Sequence, residues 1–305
     1  MTITRRRLLE TAALGAAMPL LPATRLFAQD APLMRTIPAS GEAIPAIGLG
    51  TWITFNVGDD RQLQAECTAV MAAFFAAGGR MIDSSPMYGS SQAVVGRGLA
   101  TLDRRDAVFS AEKVWTTSAA NGPAQIVQTR RLWGVDRFDL LQVHNLLGWE
   151  AHLDTLQAMK AAGRLRYTGI TTSEGRRHDL VETIMRRHPI DFLQLSYNPV
   201  DRDAERRLLP LAAERGIAVI INRPFRQGAL TRRLAREPLP DWAGAAGATS
   251  WAQLILGFIL SHPAVTVAIP ATTRVDHVRE NLAAAGGVLP DRALRERIAA
   301  HIGAL

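Results

Sequence analysis

The sequence predicts a single (β/α)8 TIM barrel of the α/β class, with a long loop after its seventh strand. Three observations predict it. Eight short apolar runs recur between Ala46 and Ile269, separated by stretches whose apolar residues fall at helical spacing. The runs are apolar almost throughout rather than alternating, as in a parallel sheet covered on both faces. No break in composition divides the roughly 250 residues they occupy, a length typical of one such barrel. A doubly wound open sheet is the alternative for the same alternation of strands and helices.

The expected strands are residues 47–52, 80–84, 107–111, 138–144, 167–171, 192–197, 218–222 and 266–269. Helical spacing is clearest in residues 62–77, 151–162 and 204–215. Gly78-Gly79, Gly163 and Gly216 stand where a helix ends and the chain turns into the next strand. Residues 31–46 are expected to form a plug or hairpin ahead of the first strand. Residues 223–249, rich in Gly, Pro and Ala, make the one long irregular stretch. Following the seventh strand, it would overhang the mouth where barrels carry out their chemistry.

Composition bounds the function. The 305 residues are 48% hydrophobic and 21% charged, with a mean hydropathy of +0.03, which excludes a disordered, collagenous or multi-pass membrane protein. A single cysteine, Cys67, excludes an internal disulfide and any multi-cysteine metal site, and no metal is expected. The net charge is +7, yet only Lys113 and Lys160 are lysine; every other basic residue is arginine. The arginines are interleaved with acids, as in Asp201-Arg202-Asp203-Ala204-Glu205-Arg206, and predict a solvated surface rather than a nucleic-acid groove.

Residues 1–28 read as a leader ahead of a catalytic domain spanning 29–305. Arg5-Arg6-Arg7-Leu8-Leu9 precedes a weakly apolar stretch to Pro22, and a small residue, Ala28, offers a cleavage point. Paired arginines before Leu-Leu predict a twin-arginine signal, a periplasmic destination and the export machinery as a partner. The apolar stretch is shorter than the roughly 20 residues that span a bilayer, so no stable membrane anchor is expected. Twin-arginine export carries folded chains, which is consistent with a bound cofactor. Without the leader (four arginines and one glutamate fewer) the charge falls to +4.

Several common chemistries are missing. Gly48-Leu49-Gly50 begins like a dinucleotide fingerprint but lacks the third glycine and an opening helix. Walker A, His-Glu-x-x-His and Gly-x-Ser-x-Gly patterns are absent, and no tyrosine is followed four residues later by lysine. What remains are titratable residues where successive strands reach the catalytic rim. These are Asp83, with Tyr88 just beyond it, then Lys113, then His144. A phenol has a pKa of about 10, and a neighbouring ammonium is expected to pull it down towards what a general acid needs. Asp83 would hold Lys113, and His144 would hydrogen-bond the same substrate oxygen. A tyrosine acid beside a cofactor suits carbonyl reduction, in which hydride goes to carbon and a proton to oxygen. Each residue alone also has an ordinary structural explanation: a turn cap, a rim aromatic, a solvated lysine, a histidine at the core edge.

With these residues in view the chain resembles the aldo-keto reductases over residues 35–285. The motifs are Gly48-Leu49-Gly50-Thr51-Trp52, Ile82-Asp83-Ser84-Ser85-Pro86-Met87-Tyr88-Gly89, Glu112-Lys113-Val114-Trp115, Leu141-Gln142-Val143-His144, and Ile269-Pro270 leading to Glu280-Asn281. The resemblance implies an NADPH-dependent reductase, with NADH possible, acting on a small carbonyl or, in reverse, an alcohol. It implies Tyr88 as proton donor, tuned by Lys113 and Asp83, with His144 orienting the carbonyl. The substrate pocket would comprise Trp52, Met87, Tyr88, Trp115 and His144. The dinucleotide would lie across the barrel mouth, with Gly50, Thr51, Trp52 and Asp83 near the nicotinamide and Thr172 and Gln194 at its carboxamide. Asn222, Arg223, Phe225, Gly228 and Leu230 would face the pyrophosphate. Thr272, Thr273, Arg274, His277 and Asn281 would face the adenosine phosphate.

The chain departs from the family pattern in three places. It has Thr171-Thr172 where many members have Ser-Asn, and Asn222 where many place a ring that stacks on the nicotinamide. It has Ala271 where NADPH-preferring members often carry lysine, which leaves Arg274 as a candidate partner for the 2′-phosphate or as a solvated arginine. A barrel that carries dinucleotide without turnover, as a sensor or binding subunit, is the alternative function.

Overall fold

The computed structural model describes residues 32–305; the expected leader, residues 1–28, lies outside them. Two short antiparallel strands, β1 (Met34–Thr36) and β2 (Ala43–Pro45), form the hairpin ahead of the barrel. Eight strands follow: β3 (Leu49–Gly50), β4 (Met81–Asp83), β5 (Phe109–Val114), β6 (Leu140–Val143), β7 (Tyr167–Thr171), β8 (Phe192–Ser196), β9 (Ala218–Asn222) and β10 (Val267–Ala268). Each pairs in parallel with the next in sequence. Bridges from Ile47 to Ala268 and from Gly50 to Ala271 join the first strand to the last and close the ring. The open-sheet alternative is thereby removed. At that seam Gly50 has no room for a side chain, since a Cβ would stand 2.7 Å from the Ile269 carbonyl oxygen.

Among the described residues ten helices surround or follow the strands: α1 (Arg61–Ala76), α2 (Ser91–Leu102), α3 (Asn121–Trp133), α4 (Trp149–Ala161), α5 (His178–Arg187), α6 (Leu208–Arg215), α7 (Ala229–Leu234), α8 (Trp251–Leu260), α9 (Val275–Ala283) and α10 (Arg292–Ala304). Asp60 starts α1 by accepting from the backbone N–H groups of Gln62 and Leu63, and Ser250 caps α8 in the same way from Gln253. Gly134 and Gly216 end α3 and α6 in the left-handed conformation. Residues 223–249 are less irregular than their composition predicts. They hold α7 and a 3-10 segment, Asp241–Ala246, because Leu230, Leu234, Ala243 and Ala246 are buried and tie the stretch to the core. Among the described residues no helix is long and apolar enough to cross a membrane.

The strand period of two divides the core. Residues facing the helices, such as Ile82, Leu141, Val143, Leu193, Leu195, Val219 and Ile221, join one large cluster. Residues facing the barrel axis form a second: Met81, Phe109, Ala111, Leu140, Tyr167, Phe192, Ala218, Ile220 and Val267, with Ile37 and Ile44 of the hairpin segment. Phe109, Tyr167 and Phe192 pack ring against ring there, with centroids 5.4–6.2 Å apart. The axis is thus filled with apolar side chains, and the catalytic candidates lie at the C-terminal ends of its strands.

Candidate active site

Two residues beyond that apolar layer, the same inward face carries Asp83 on β4, Lys113 on β5, Gln142 on β6, Gln194 on β8 and Asn222 on β9. Strand parity alone brings these five side chains together. The Lys113 Nζ lies 2.5 Å from Asp83 Oδ2 and donates to the Ser84 carbonyl at 2.8 Å. Asp83 Oδ1 accepts from the Gln194 amide at 2.8 Å and from the Gln142 amide at 3.4 Å. Asn222 continues the chain: its Nδ2 donates to the Thr172 carbonyl, and its Oδ1 accepts from the Ser196 hydroxyl. Both charges of the ion pair are almost wholly buried, so each is the other's electrostatic compensation.

Tyr88 stands on a short 3-10 turn, Pro86–Tyr88, just after β4. The turn is fixed at its far end, where Gly89 has φ +60° and a Cβ would meet Asn56 Oδ1 at 2.2 Å. That same Asn56 oxygen accepts from the Ser90 N–H at 3.0 Å, and Ser90 Oγ accepts from the Gly58 N–H. The Lys113 Nζ lies 5.1 Å from the Tyr88 ring centre, so the expected neighbourhood of phenol and ammonium is present. The expected lowering of the phenol pKa is not. Burial pushes Tyr88 up to about 12; the Lys113 charge opposes this, but Asp83 and Glu112 offset part of its pull. Burial alone would lower the Lys113 ammonium, yet Asp83, Tyr88 and Glu112 together hold it above its usual value. The ammonium therefore stays charged beside a phenol that keeps its proton.

His144 follows β6, where the chain turns sharply through Asn145 and Leu146, both at positive φ. The Asn145 N–H donates to Thr171 Oγ1 and so secures the turn. The imidazole meets the Tyr88 ring edge-on, with centroids 5.7 Å apart, and its Nδ1 lies 2.7 Å from Ser85 Oγ. Burial, and then the Lys113 charge, lower its pKa to about 2, so the ring is neutral.

A cavity of about 670 Å³ opens above this set. Its wall includes Gly50, Thr51, Trp52, Asp83, Met87, Tyr88, His144, Gln194, Asn222, Arg223, Phe225, Gly228, Thr272, Thr273, Arg274 and His277, all named from the sequence. Four other expected contacts do not line it. Trp115 is 40% exposed, its backbone N–H and carbonyl held by Gln125. Leu230 is drawn into the hydrophobic core. Thr172 turns its hydroxyl to the Arg176 carbonyl, and Asn281 lies behind the seam with Ile47, Phe74 and Leu282. Arg274 lines the cavity, but its Nε donates to Asp276 Oδ1 at 2.9 Å, so an incoming phosphate meets a guanidinium that already has a counter-ion.

Sequence reasoning missed Ile53, Asn145, Glu174, Arg176 and Gln227 on the wall, and Gln142 beneath it. Inward parity from Leu140 would have found Gln142; the rest sit on loops without a periodic signal. Glu174 and Arg223 join two of these loops through a 2.6 Å ion pair, and the Arg223 guanidinium lies 5.9 Å from the Trp52 ring centre. Both residues hold positive φ without being glycine, a conformation such residues adopt where neighbouring contacts enforce it.

A closed parallel barrel with a buried lysine–aspartate pair beneath a tyrosine and a histidine, opening on a cavity at the strand ends, is the arrangement of a barrel oxidoreductase. Residues 46–300 match the aldo/keto reductase family, and the chain belongs to it. It is 27% identical to methylglyoxal reductase YeaE of Escherichia coli, over 82% of this chain and 88% of that protein. It is 25% identical to an NADH-specific methylglyoxal reductase of the same species, over 70% and 74%. An aldo-keto reductase from Klebsiella pneumoniae, solved in complex with NADPH, superposes with a TM-score of 0.71 at 25% identity, covering 90% of this chain and 94% of that one.

Proposed function

We propose that this protein reduces a small aldehyde or ketone to the alcohol with NADPH, accepting NADH as an alternative, and that the reaction is reversible. The observation that carries this is the buried Asp83–Lys113 pair beneath Tyr88 and His144, opening on one cavity. The cavity fits a dinucleotide: its volume lies within the range of cofactor sites, and its wall is rich in hydrogen-bond donors. It carries Gln194, bonded to Asp83, and Asn222 beside it, then Arg223 and Gly228 on the loop after β9, and Thr272, Thr273, Arg274 and His277 after β10. When bound, the cofactor supplies a hydride to the carbonyl carbon.

The chain's own residues manage the proton. The Tyr88 hydroxyl donates to the carbonyl oxygen as negative charge develops there. The Lys113 ammonium stabilises the phenolate left behind, and Asp83 keeps that ammonium charged and in place. His144, neutral, offers an N–H to the same oxygen. Trp52, Met87 and Phe225 contribute apolar surface that excludes water. Because Tyr88 stays protonated and His144 uncharged, kcat/KM for reduction is expected to change only slightly from about pH 6 to 9, the small change being that of the buried Glu112 carboxyl, which burial pushes up to about 7. It should fall markedly only on the alkaline side, as Tyr88 loses its proton; a pH–rate profile at saturating reduced cofactor checks this.

The two Escherichia coli relatives are methylglyoxal reductases, which supports an α-oxoaldehyde of methylglyoxal size as the substrate class. Twin-arginine export and a periplasmic location belong to the same proposal, supported by Arg5-Arg6-Arg7-Leu8-Leu9 and the apolar stretch after it. The test is steady-state oxidation of NADPH and NADH against a panel of small carbonyls, with fractionation of the expressing cells. Many turnovers on an α-oxoaldehyde are expected. A single slow turnover with every carbonyl would favour the dinucleotide-carrying sensor, and activity confined to the cytoplasmic fraction would remove the export proposal.

A further inference from the structure

Ser85 is fully buried and lies between the two groups that meet the substrate oxygen. It precedes the 3-10 turn that carries Tyr88, and its Oγ accepts from the Met87 N–H at 3.2 Å, capping that turn. The same oxygen lies 2.7 Å from His144 Nδ1. The serine hydroxyl has one proton, and no other acceptor stands within hydrogen-bond distance of it among the described residues. If Nδ1 carried the imidazole proton, Ser85 Oγ would accept two N–H groups and leave its own proton unpaired in a site closed to water. If Ser85 donates to Nδ1, the serine hydroxyl is satisfied as donor and acceptor and the imidazole proton must reside on Nε2, which faces the cavity. The Nε2 atom has no protein partner among the described residues, and His144 lines the cavity.

We propose that Ser85 is a positioning residue that locks His144 in its Nε2–H tautomer, so that the imidazole can only donate, and to the same oxygen that receives the Tyr88 proton. One hydroxyl then sets both partners: it caps the turn that seats the phenol, and it dictates which imidazole nitrogen faces the substrate. The opposite tautomer would turn a lone pair towards the carbonyl oxygen and oppose its polarisation. This inference rests on the carbonyl-reduction proposal for its consequence, but not for the hydrogen bond itself.

The test is a long-range ¹H–¹⁵N spectrum of the full chain labelled at histidine, combined with kinetics of Ser85→Ala and Ser85→Thr. In the wild type a pyrrole-type Nε2 and a pyridine-type Nδ1 are expected for His144. Ser85→Ala should mix the two tautomers and lower kcat by about 10- to 100-fold, with cofactor Kd within about twofold of wild type. Ser85→Thr, which keeps the hydroxyl, should restore both the single tautomer and most of kcat. A wild-type spectrum with the proton on Nδ1 overturns the proposal without recourse to any variant. So does a Ser85→Ala protein that keeps one tautomer and full kcat. A wild type inactive on every carbonyl, yet locked in the Nε2–H form until Ser85 is replaced, would sink the reductase proposal and uphold the hydrogen-bond assignment.

Discussion

Replacing Tyr88 by phenylalanine is expected to slow carbonyl reduction by about 10²- to 10⁴-fold, the span that a positioned general acid contributes. The change deletes one oxygen and keeps the ring, which packs 6.4 Å from Trp52 and edge-on to His144. The barrel and the cavity wall should therefore be preserved, so dinucleotide affinity measured by fluorescence quenching is expected to stay within a few-fold of wild type. Loss of kcat with retained binding separates a missing proton donor from a damaged pocket. A variant with undiminished kcat would remove Tyr88 from the chemistry.

The second large effect is expected at the ion pair. Lys113→Met leaves the Asp83 carboxylate buried without its cation, a loss of about 3–5 kcal/mol in comparable pairs. For a domain of this size that corresponds to a melting temperature lower by roughly 10 °C. Activity should vanish with it, because nothing then stabilises the Tyr88 phenolate. Combining Lys113→Met with Asp83→Asn is expected to recover much of the lost stability, since no unpaired charge remains, but none of the turnover. Thermal and denaturant unfolding of the two single variants and the double variant measure the first point, and steady-state kinetics the second. Recovery of turnover in the double variant would show that the pair serves the fold alone.

Much of the architecture was legible because apolar runs in a doubly covered sheet are unambiguous. The strands at residues 167–171 and 218–222 match β7 and β9 to the residue. The first and last strands came out shorter than expected, as β3 and β10, because the ring closes there through single bridges rather than a continuous ladder. β5 runs on to Val114, beyond the expected end at Ala111, since Glu112 and Lys113 are polar yet buried. Glu112 is accommodated on the outer face by the side chains of Gln92 and Trp133. The four catalytic candidates could be found from sequence because each sits where an apolar run stops. The Tyr88 acidity could not, because it depends on how far burial outweighs one ammonium. Nor could the pairing of Arg274 with Asp276, or the retreat of Trp115 and Leu230 from the cavity, since loop packing leaves no period to read.

The seat of Tyr88 has a consequence for remodelling this enzyme. Asp83, Lys113, Gln142, Gln194 and Asn222 are rooted in strands, whereas the phenol depends on Asn56, borrowed from the segment after β3, to hold Gly89 and Ser90. Grafting a foreign segment over residues 51–58 would thus shift the acid along with the specificity wall. Beyond Gly228 the stretch after β9 makes no hydrogen bond to Asn56, Gly89 or Ser90 among the described residues, so changes confined there offer the safer route to a new substrate range.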